Sequence, residues 1–394
     1  MKENIVIIAG ARTAIGSFGG SLKDLEATDL GGIAIKEALK RAQVAPEDVD
    51  EVVMGCVGQA AENAFMARVS SIKAGIPYEA TALTVNRLCS SGLQAIVTAA
   101  MEIDNGFCDV AVAGGGESMD NIPFYLRNAR RGYRMGHAEL EDGLVTALSD
   151  PITRDHMGIT AENIAERYHI SREDQDAYAL MSQQRAAKAR DEGKFKDEIV
   201  PVEVRVNKKE TKIFDTDEHI RDNTTLEKLA KLKPAFKAGG TVTAGNASGI
   251  NDCGAAVVLM KEEEAKRRGR KPIVRIVDFA AAGVDPAYMG IGPVPAVRKL
   301  LEKTGLTLDD IGLIELNEAF ASQSLACIRE LGLDVNKVNV NGSGISMGHP
   351  IGATGCIITI KLMNEMVRRQ EKYGIATLCI GGGQGLAVLF ELCN

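Results

Sequence analysis

The chain has 394 residues, of which 45% are hydrophobic and 25% are charged. This length and composition predict a globular protein with two or three packing units and exclude a wholly disordered chain. The 46 Lys and Arg residues against 53 Asp and Glu residues give a formal net charge of −7, which disfavours a nucleic-acid binder. The sequence has no apolar stretch of the roughly 20 residues needed to cross a membrane, so no membrane association is predicted. The N-terminal apolar run at residues 5–9 is too short for a secretory signal and predicts a first strand.

The spacing of the cysteines limits the kinds of site that they are expected to form. No two of the eight cysteines have CxxC spacing, which disfavours a structural zinc site or a thioredoxin-like site, and no metal is expected. With no export signal, we expect mostly reduced, buried thiols in a cytoplasmic protein. One or two remain candidates for nucleophiles. The cysteines are Cys56, Cys89, Cys108, Cys253, Cys327, Cys356, Cys379 and Cys393.

The chain reads as a duplication. Residues 33–53 align without a gap to residues 295–315, at an offset of 262 residues, and each segment has the pattern of a helix, a short turn and an apolar strand. Further along, strand-to-helix patterns occur at 84–96 and 338–360. Each half then has a strand running into three glycines.

An insertion interrupts the first half. The strand that completes the second half follows its glycines at once, whereas the matching strand of the first half appears only at 254–260. We therefore predict a first half of residues 1–118 plus 249–270, an inserted loop domain of residues 119–248 and a second half of residues 271–394. Alternating strands and helices predict an α/β protein with mainly parallel strands in an α/β/α/β/α five-layered body. The insertion should contain a helix at 171–192 with Ser171 as N-cap, and the charged run at 262–271 reads as a solvated helix end.

Reactive side chains fall at strand-to-helix junctions, where α/β proteins bind ligands. Cys89 precedes a helix whose N-terminus favours a thiolate, and the small residues after it resemble a nucleophile elbow with sulfur in place of oxygen. His349 lies in the glycine-rich segment GHPIGATG, before Pro350, which suits the first position of a helix. The repeat offset carries Cys89 to position 351, so the two helix starts are expected to meet at one cleft and form an activated nucleophile.

Two further segments carry polar groups at strand ends. Cys379 is followed by Gly381 to Gly383, whose backbone N–H groups are suited to an oxyanion, and the segment lacks the GxGxxG pattern of dinucleotide binding. Asn317 ends an apolar run and is suited to orienting a water or a histidine, although a turn-capping role is equally compatible with its spacing.

Together these segments resemble the thiolase family along the whole chain, most closely its biosynthetic acetoacetyl-CoA-forming members. The motifs that carry the resemblance are NRLCSSGLQAI around Cys89, GGGESM at 114–119, HMGITAEN at 156–163, VTAGNASGINDCGAA at 242–256, VDPAYMGIGP at 284–293, NEAFA at 317–321, GHPIGATG at 348–355 and CIGGGQG at 379–385. The family has a duplicated five-layered fold with a loop domain inserted in its first half.

The resemblance implies an acetyl-CoA C-acetyltransferase that joins two acetyl-CoA molecules into acetoacetyl-CoA and CoA. It implies that Cys89 is the acylated nucleophile, that His349 activates it and that Cys379 moves the α-proton. Asn317 would hold a water beside His349 for the enolate oxygen, and the backbone N–H groups of Cys89 and Gly381 would form the other oxyanion hole. The implied substrate-binding positions are Ser248, His156, Phe236 and Phe320 in the pantetheine channel, Arg221 near the adenine, and Met289 closing the acyl pocket.

The resemblance also implies a homotetramer with its tetramerisation loop at 120–145, and no cofactor beyond the CoA thioester substrates. A basic set in the insertion is suited to CoA phosphates, although such lysines are usually solvated surface: Arg221, Lys228, Lys231, Lys233 and Lys237.

Departures from the family pattern leave acyl chain length open. Ser90 stands where many biosynthetic members have glycine, and Cys-Ser-Ser-Gly also occurs in thiolases of longer 3-ketoacyl-CoAs. Ser343, Gly344 and Ser346 are atypical before His349. The alternatives are therefore a broader-chain 3-ketoacyl-CoA thiolase, a condensing enzyme that loads from acyl carrier protein, a non-catalytic acyl-CoA-binding relative and, least favoured, a metal site.

Overall fold

The computed structural model describes residues 2–393. The strands in this part of the chain are β1 (Ile5–Thr13), β2 (Gly16–Ser17), β3 (Glu51–Gly55), β4 (Thr81–Val85), β5 (Val110–Ser118), β6 (Phe124–Tyr125), β7 (Glu141–Asp142), β8 (Ile199–Val200), β9 (Val202–Asn207), β10 (Glu210–Phe214), β11 (Asn251–Lys261), β12 (Val274–Gly283), β13 (Leu313–Leu316), β14 (Tyr373–Ile380) and β15 (Gln384–Leu392). The α-helices are α1 (Ala27–Ala42), α2 (Met66–Lys73), α3 (Ser91–Asp104), α4 (Gly143–Ala147), α5 (Met157–Arg167), α6 (Arg172–Asp191), α7 (Leu226–Ala230), α8 (Glu262–Arg267), α9 (Pro293–Thr304), α10 (Ala321–Leu331), α11 (Gly344–Met347) and α12 (Thr354–Arg369).

Eleven strands form one continuous sheet, in the order β13-β14-β15-β12-β1-β11-β5-β3-β4, with β2 beside β11 and β8 beside β1. The strands from the first half of the chain lie on one side and those from the second half on the other. The two sides join where β1 pairs with β12, through three residue pairs that begin at Ile5 and Ile276. The halves therefore share a backbone seam as well as side-chain packing.

The helices form three layers: one outside the first-half strands, one outside the second-half strands and one between these two parts of the sheet. α1 and α2 cover the outer face of the first-half strands, with Ile35 and Met66 in that core. α9 and α10 cover the outer face of the second-half strands around Leu300. α3 and α12 lie between the two sides, where Leu93 and Ile357 share the largest core. Because strand side chains alternate between faces, each central strand contributes to an outer and to the middle core, which gives the predicted five-layered arrangement.

The expectation of a mainly parallel sheet is wrong. Along the main strand order, β13–β14, β3–β5 and β3–β4 are parallel, and the five central pairings are antiparallel. Each parallel pair belongs to a segment with helices between its strands, whereas β14 returns directly as β15. A three-residue connection between neighbouring strands is long enough only for a hairpin, and Gly382 and Gly383 adopt positive φ of 78° and 83° there.

The duplication is visible in the elements. The offset of 262 residues carries the 3₁₀ turn Pro46–Asp48 onto the turn Leu308–Asp310. The strand predicted at the start of residues 338–360 is absent, however. Only one bridge, between Ile314 and Val338, occupies the place that β4 has beside β3, and the short helix α11 follows. Within the described residues, β13 is therefore the edge strand of the second half, and no counterpart of β4 lies beside it.

Two predictions outside the sheet are confirmed. The helix expected at 171–192 is α6, and the Ser171 side chain accepts a hydrogen bond of 3.0 Å from the Asp174 N–H as its cap. The charged run at 262–271 begins with the short helix α8. Within residues 2–393, no helix has the length and apolar character required to span a bilayer.

Candidate active site

Cys89 lies at a sharp turn between β4 and α3. The turn is held by Ser91, whose hydroxyl accepts from the Arg87 N–H at 2.9 Å and donates to the Leu88 carbonyl at 2.6 Å. Leu88 has a positive φ of 45°, an uncommon conformation for a residue with a side chain. The chain therefore reverses abruptly and places Cys89, a half-buried residue, in the lining of a cavity.

Burial dominates the electrostatics of this thiol. It raises the pKa of Cys89 to about 11, although the backbone N–H groups of Gly381 and of Cys89 itself act in the opposite direction. The N–H group at the helix start favours the thiolate, as expected, but desolvation of the anion outweighs both N–H groups in the resting site.

His349 lies in the turn that precedes α12. Its Nδ1 atom is 2.7 Å from the Thr354 hydroxyl, which in turn donates to the Pro350 carbonyl at 2.9 Å. A hydroxyl has one proton to donate, so the Thr354 oxygen accepts from Nδ1–H and leaves Nε2 as the unprotonated nitrogen of the ring. Burial lowers the pKa of His349 to about 4, which keeps this nitrogen available as a base at neutral pH.

Pro350 does not begin the helix, contrary to expectation. Residues 351–353 form a turn, and the regular helix begins at Thr354. The reason is that the Pro350 carbonyl accepts from both the Ala353 and Thr354 N–H groups, which tightens the turn. The His349 N–H donates to Asn251 Oδ1 at 3.0 Å, and this bond anchors the turn to β11.

Asn317 follows β13 and contacts the histidine directly. Its Nδ2 atom is 3.4 Å from His349 Nε2. Its Oδ1 atom is buried and has no hydrogen-bond partner within the described chain. A buried amide oxygen beside an imidazole is suited to accepting from a water or a substrate group.

Cys379 lies at the end of β14, two residues before Gly381. It is fully buried, in the same apolar cluster as Met289 and Phe320. Burial raises its pKa well above the usual thiol value, and a charge on Cys89 acts in the same direction. Both thiols are therefore protonated at rest.

One cavity of about 470 Å³ joins these groups. Cys89 and His349 line it, together with all six predicted substrate-binding residues: Ser248, His156, Phe236, Arg221, Met289 and Phe320. Cys379 and Asn317 do not line the cavity themselves. Cys379 belongs to the apolar cluster of the lining residues Met289 and Phe320, and Asn317 contacts His349. Of the predicted basic set, only Arg221 lines this cavity, and Lys237 instead pairs with Glu166 at 3.5 Å.

Aromatic rings shape the middle of the cavity. His156 stacks on Phe236 with ring centroids 4.8 Å apart, and Phe236 meets Phe320 edge to face at 6.2 Å. His156 Nδ1 accepts from the Gly158 N–H at 3.1 Å and caps α5. Burial lowers the pKa of His156, so this wall is uncharged and fits an uncharged chain better than a phosphate.

The structure adds lining residues that the sequence analysis did not select. His219 lies two positions before Arg221, and burial, reinforced by Arg221, lowers its pKa to about 4. Apolar side chains complete the lining: Met119, Leu148, Met157, Ile250 and Ile351. Thr354 and Asn251 contact His349 but were not predicted as site residues. Their closeness along the chain to His349 and Ser248, within the same motifs, was the signal that could have identified them.

Among residues 2–393, no group of three or more His, Cys, Asp or Glu residues is arranged to hold a metal ion.

The fold and the site together place a cysteine and a histidine in the lining of one cavity of a duplicated five-layered α/β protein. Comparison with known proteins agrees. The model of the thiolase N-terminal domain matches residues 5–263, and that of the thiolase C-terminal domain matches residues 270–392. The chain belongs to the thiolase family.

Individual relatives match along almost their whole length. Beta-ketothiolase BktB of Cupriavidus necator is 54% identical over 393 residues, which cover 99% of this chain and 100% of that protein. The crystal structure of Bacillus anthracis acetyl-CoA acetyltransferase superimposes with a TM-score of 0.98 at 49% identity, covering 100% of this chain and 99% of that one. The structure of human mitochondrial 3-ketoacyl-CoA thiolase in complex with CoA gives a TM-score of 0.96 at 46% identity, covering 100% of this chain and 98% of that one. The thiolase fold predicted from the sequence is confirmed.

Proposed function

We propose that the protein is an acetyl-CoA C-acetyltransferase that interconverts two acetyl-CoA molecules with acetoacetyl-CoA and CoA. The observation that carries this proposal is the pairing of Cys89 and His349 in one cavity, with Cys379 in the adjoining apolar cluster. Two thiols and one imidazole supply the proton transfers that joining two acyl groups requires, without a metal. The names of close relatives, acetyl-CoA acetyltransferase and beta-ketothiolase, support the same activity.

The first half-reaction transfers an acetyl group to the enzyme. His349 Nε2 takes the proton of Cys89 as its sulfur attacks the thioester carbonyl. The N–H groups of Cys89 and Gly381 stabilise the oxyanion, and the departing CoA thiolate takes the proton of Cys379. One thioester replaces another, so this exchange is nearly thermoneutral.

The second half-reaction makes the carbon–carbon bond. Cys379, now a thiolate, removes an α-proton from a second acetyl-CoA. Protonated His349 and a water on Asn317 stabilise the enolate oxygen, because a thioester α-proton is too weakly acidic to be lost without such help. The carbanion attacks the acetyl group, and Cys89 leaves with the proton of His349, which restores all three groups.

Acetylation of Cys89 tests this proposal. After mixing with acetyl-CoA, intact-mass spectrometry is expected to show one added acetyl group on the wild type and none on Cys89→Ser. Cys393→Ser, which removes a half-exposed thiol outside the cavity, is the matched control and should acetylate normally. A wild-type protein that binds CoA without acetylation or turnover would instead be a non-catalytic acyl-CoA-binding relative.

A broader-chain 3-ketoacyl-CoA thiolase is the second candidate. The Cys89-Ser90-Ser91-Gly92 sequence and the relatives named beta-ketothiolase and 3-ketoacyl-CoA thiolase favour it. Met289, which is 2% exposed, lines the cavity and supports the short-chain proposal, because its side chain would limit the length of the acyl group. We expect a higher kcat/KM for acetoacetyl-CoA than for the six-carbon 3-ketoacyl-CoA, and the reverse order would establish the second candidate.

We further propose a homotetramer in the cytoplasm. Residues 119–248 would serve CoA binding and oligomerisation, while residues 1–118 with 249–270 and residues 271–394 would form the catalytic halves. Two exposed surfaces support two kinds of subunit contact. One is the edge strand β4 with Leu83 and, just before the strand, Tyr78; the other is the 120–145 segment with Met135 and Leu140. Eight free thiols fit a reducing compartment.

Light scattering after size exclusion tests the assembly. The wild type is expected at the tetramer mass, and Leu140→Glu is expected at the dimer mass because the 120–145 contact would be charged. A monomeric wild type would contradict the proposal.

A further inference from the structure

Glu117 is a buried carboxylate that the acyl-transfer steps do not use. It lies near the end of β5 and is 1% exposed. Its oxygens accept backbone N–H groups from Val57 at 3.0 Å, Gly58 at 2.9 Å and Gly352 at 2.8 Å. The Cys56 thiol is also directed at it, with Sγ 3.7 Å from Oε1. Burial raises the pKa of Glu117, and the four donors that converge on this carboxylate act in the opposite direction, because they stabilise its ionised form.

These donors come from both halves of the duplicated chain. Val57 and Gly58 follow β3 in the first half, and Gly352 belongs to the turn of His349 in the second half. Val57 and Ile351 both pack in the small apolar cluster that also contacts Cys89. One side chain therefore ties together the backbone on two sides of the nucleophile.

The contact depends on close backbone approach. A Cβ atom at Gly352 would lie 2.5 Å from Glu117 Oε2, and one at Gly115 would lie 2.1 Å from the Gly352 carbonyl oxygen. No side chain fits between these segments, so the place of the histidine turn is set by backbone contacts and by the Glu117 hydrogen bonds. A small displacement of Gly352 would move His349, three residues earlier, relative to Cys89.

The charge of Glu117 reaches the nucleophile as well. Burial is the largest cause of the raised pKa of Cys89, and among the charged groups Glu117 also raises it. The other titratable groups that line the cavity with Cys89 are His349, His156, His219 and the cation Arg221. Burial keeps the three histidines neutral at rest, and it keeps Cys379, on which a charge on Cys89 acts, protonated. Cys56, which faces Glu117, is likewise a neutral buried thiol.

We propose that Glu117 is a positioning residue that holds the segment after β3, which packs in the cluster that contacts Cys89, against the histidine turn of the other half. Its negative charge adds to the larger effect of burial, which keeps Cys89 protonated at rest. The proposal rests on the proposed acyl-transfer function.

Glu117→Gln tests both parts, because it keeps the shape and removes the charge. Acetylation of Cys89 by acetyl-CoA in a single turnover is expected to slow about 10- to 100-fold, since misplacement of catalytic groups by about 1 Å costs that much. The KM for acetyl-CoA should stay within about 2-fold, since Glu117 does not line the cavity. The midpoint of Cys89 alkylation by iodoacetamide against pH should move to lower pH, which loss of structure alone would not produce.

Asp50→Asn is the matched control. The Asp50 carboxylate also accepts backbone N–H groups, from Asp109 at 2.9 Å and Val110 at 3.0 Å, but at the opposite end of β5. It should change neither the acetylation rate nor the alkylation midpoint. An unchanged acetylation rate or an unchanged midpoint in Glu117→Gln would overturn the proposal.

Glu117→Asp keeps the test decisive if Glu117→Gln does not fold. The shorter side chain retains the charge but cannot reach all three N–H groups, so a slower acetylation with a wild-type alkylation midpoint is expected. An unchanged acetylation rate in this variant would also overturn the proposal. Failure of the wild type itself to acetylate would refute the proposed function instead, so the two failures are distinguishable.

Discussion

Burial keeps the three reacting groups of the cavity neutral at rest. The pKa of Cys89 is raised to about 11 and that of Cys379 is also raised, while that of His349 is lowered to about 4. A thiolate–imidazolium pair is therefore not preformed, and proton transfer from Cys89 to His349 must accompany attack on the thioester. The resting thiol is accordingly less reactive towards other electrophiles than a preformed thiolate would be.

The acid limb of the pH profile, which is the decline of the acetylation rate at low pH, tests the protonation state of His349. Its ordinary pKa is 6.5 and burial lowers it to about 4, so the base remains unprotonated as the pH falls from 7 to 5. We expect the single-turnover acetylation rate at subsaturating acetyl-CoA to decline only as the pH approaches 4. His219 also has a pKa of about 4, so His219→Gln should keep this limb whatever its effect on affinity. A limb centred near 6.5 would contradict the assignment.

Thr354 is expected to control which nitrogen of His349 is unprotonated. Thr354→Val removes the acceptor for Nδ1–H while keeping the shape, so the other tautomer becomes populated and Nε2 is less often a base. We expect acetylation about 10-fold slower, with the KM for acetyl-CoA unchanged, by analogy with the modest losses from changing an outer contact of a functional histidine. Thr359→Val is a matched control, because that buried hydroxyl donates only to the Gly355 carbonyl one turn further along α12. Equal rates for the two variants would refute the role of Thr354.

Among the elements, the starts of α3 and α12 decide the geometry of the site. Each helix follows a turn that carries one reacting group, and the two helices meet through glycines. A Cβ atom at Gly355 would lie 2.2 Å from the Leu93 N atom, and one at Gly92 would lie 2.9 Å from the Cys356 N atom. Backbone therefore packs against backbone, which brings Cys89 and His349 to one cavity although 260 positions separate them in the sequence.

Gly355→Ala should separate these helix starts. The added methyl group meets backbone that cannot rotate away, so we expect a loss of about 1–3 kcal/mol in the free energy of unfolding and a greater loss of acetylation rate. Thermal unfolding and single-turnover acetylation measure the two effects. Gly283→Ala is the control, since its added Cβ would lie 3.9 Å from the Gly383 carbonyl oxygen and meet nothing closer. Full acetylation activity in Gly355→Ala would show that the helix spacing is not critical.

At the scale of the whole molecule, a buried ionic cluster joins the inserted segment to the sheet. Arg12 on β1 is fully buried, with its guanidinium 2.8 Å from Asp217 and 3.1 Å from Glu198. Asp217 also accepts from the Ile15 N–H at 2.8 Å. Since His219 and Arg221 follow directly and line the cavity, this cluster couples folding of the insertion to the shape of the distal end of the cavity.

Asp217→Asn should therefore affect both stability and substrate affinity. It leaves the charge of Arg12 less compensated in a buried place, which typically costs about 3–5 kcal/mol. We expect a lower free energy of unfolding by denaturant and a raised KM for acetyl-CoA, with little change in the acetylation rate at saturation. Asp215→Asn, an exposed carboxylate that accepts only from Thr216, should match the wild type. A normal KM in Asp217→Asn would show that the cluster serves stability alone.

The sequence by itself determined the helix at α6 and the thiolase resemblance, and it predicted the duplication and the interruption of the first half. Each rests on local patterns: the periodicity of apolar residues, the cap at Ser171 and short motifs around reactive residues. Such patterns reveal which residue types occur together in one segment. They do not reveal which segments pack side by side.

Only the tertiary structure decided the antiparallel centre of the sheet, the neutral resting site and the contacts of Glu117. Strand direction depended on which connections were hairpins. The protonation of Cys89 depended on how far burial outweighed a helix terminus that the sequence had correctly located. The bond from Gly352 to Glu117 joins residues 235 positions apart, and a contact between such distant segments leaves no periodic signature in either one.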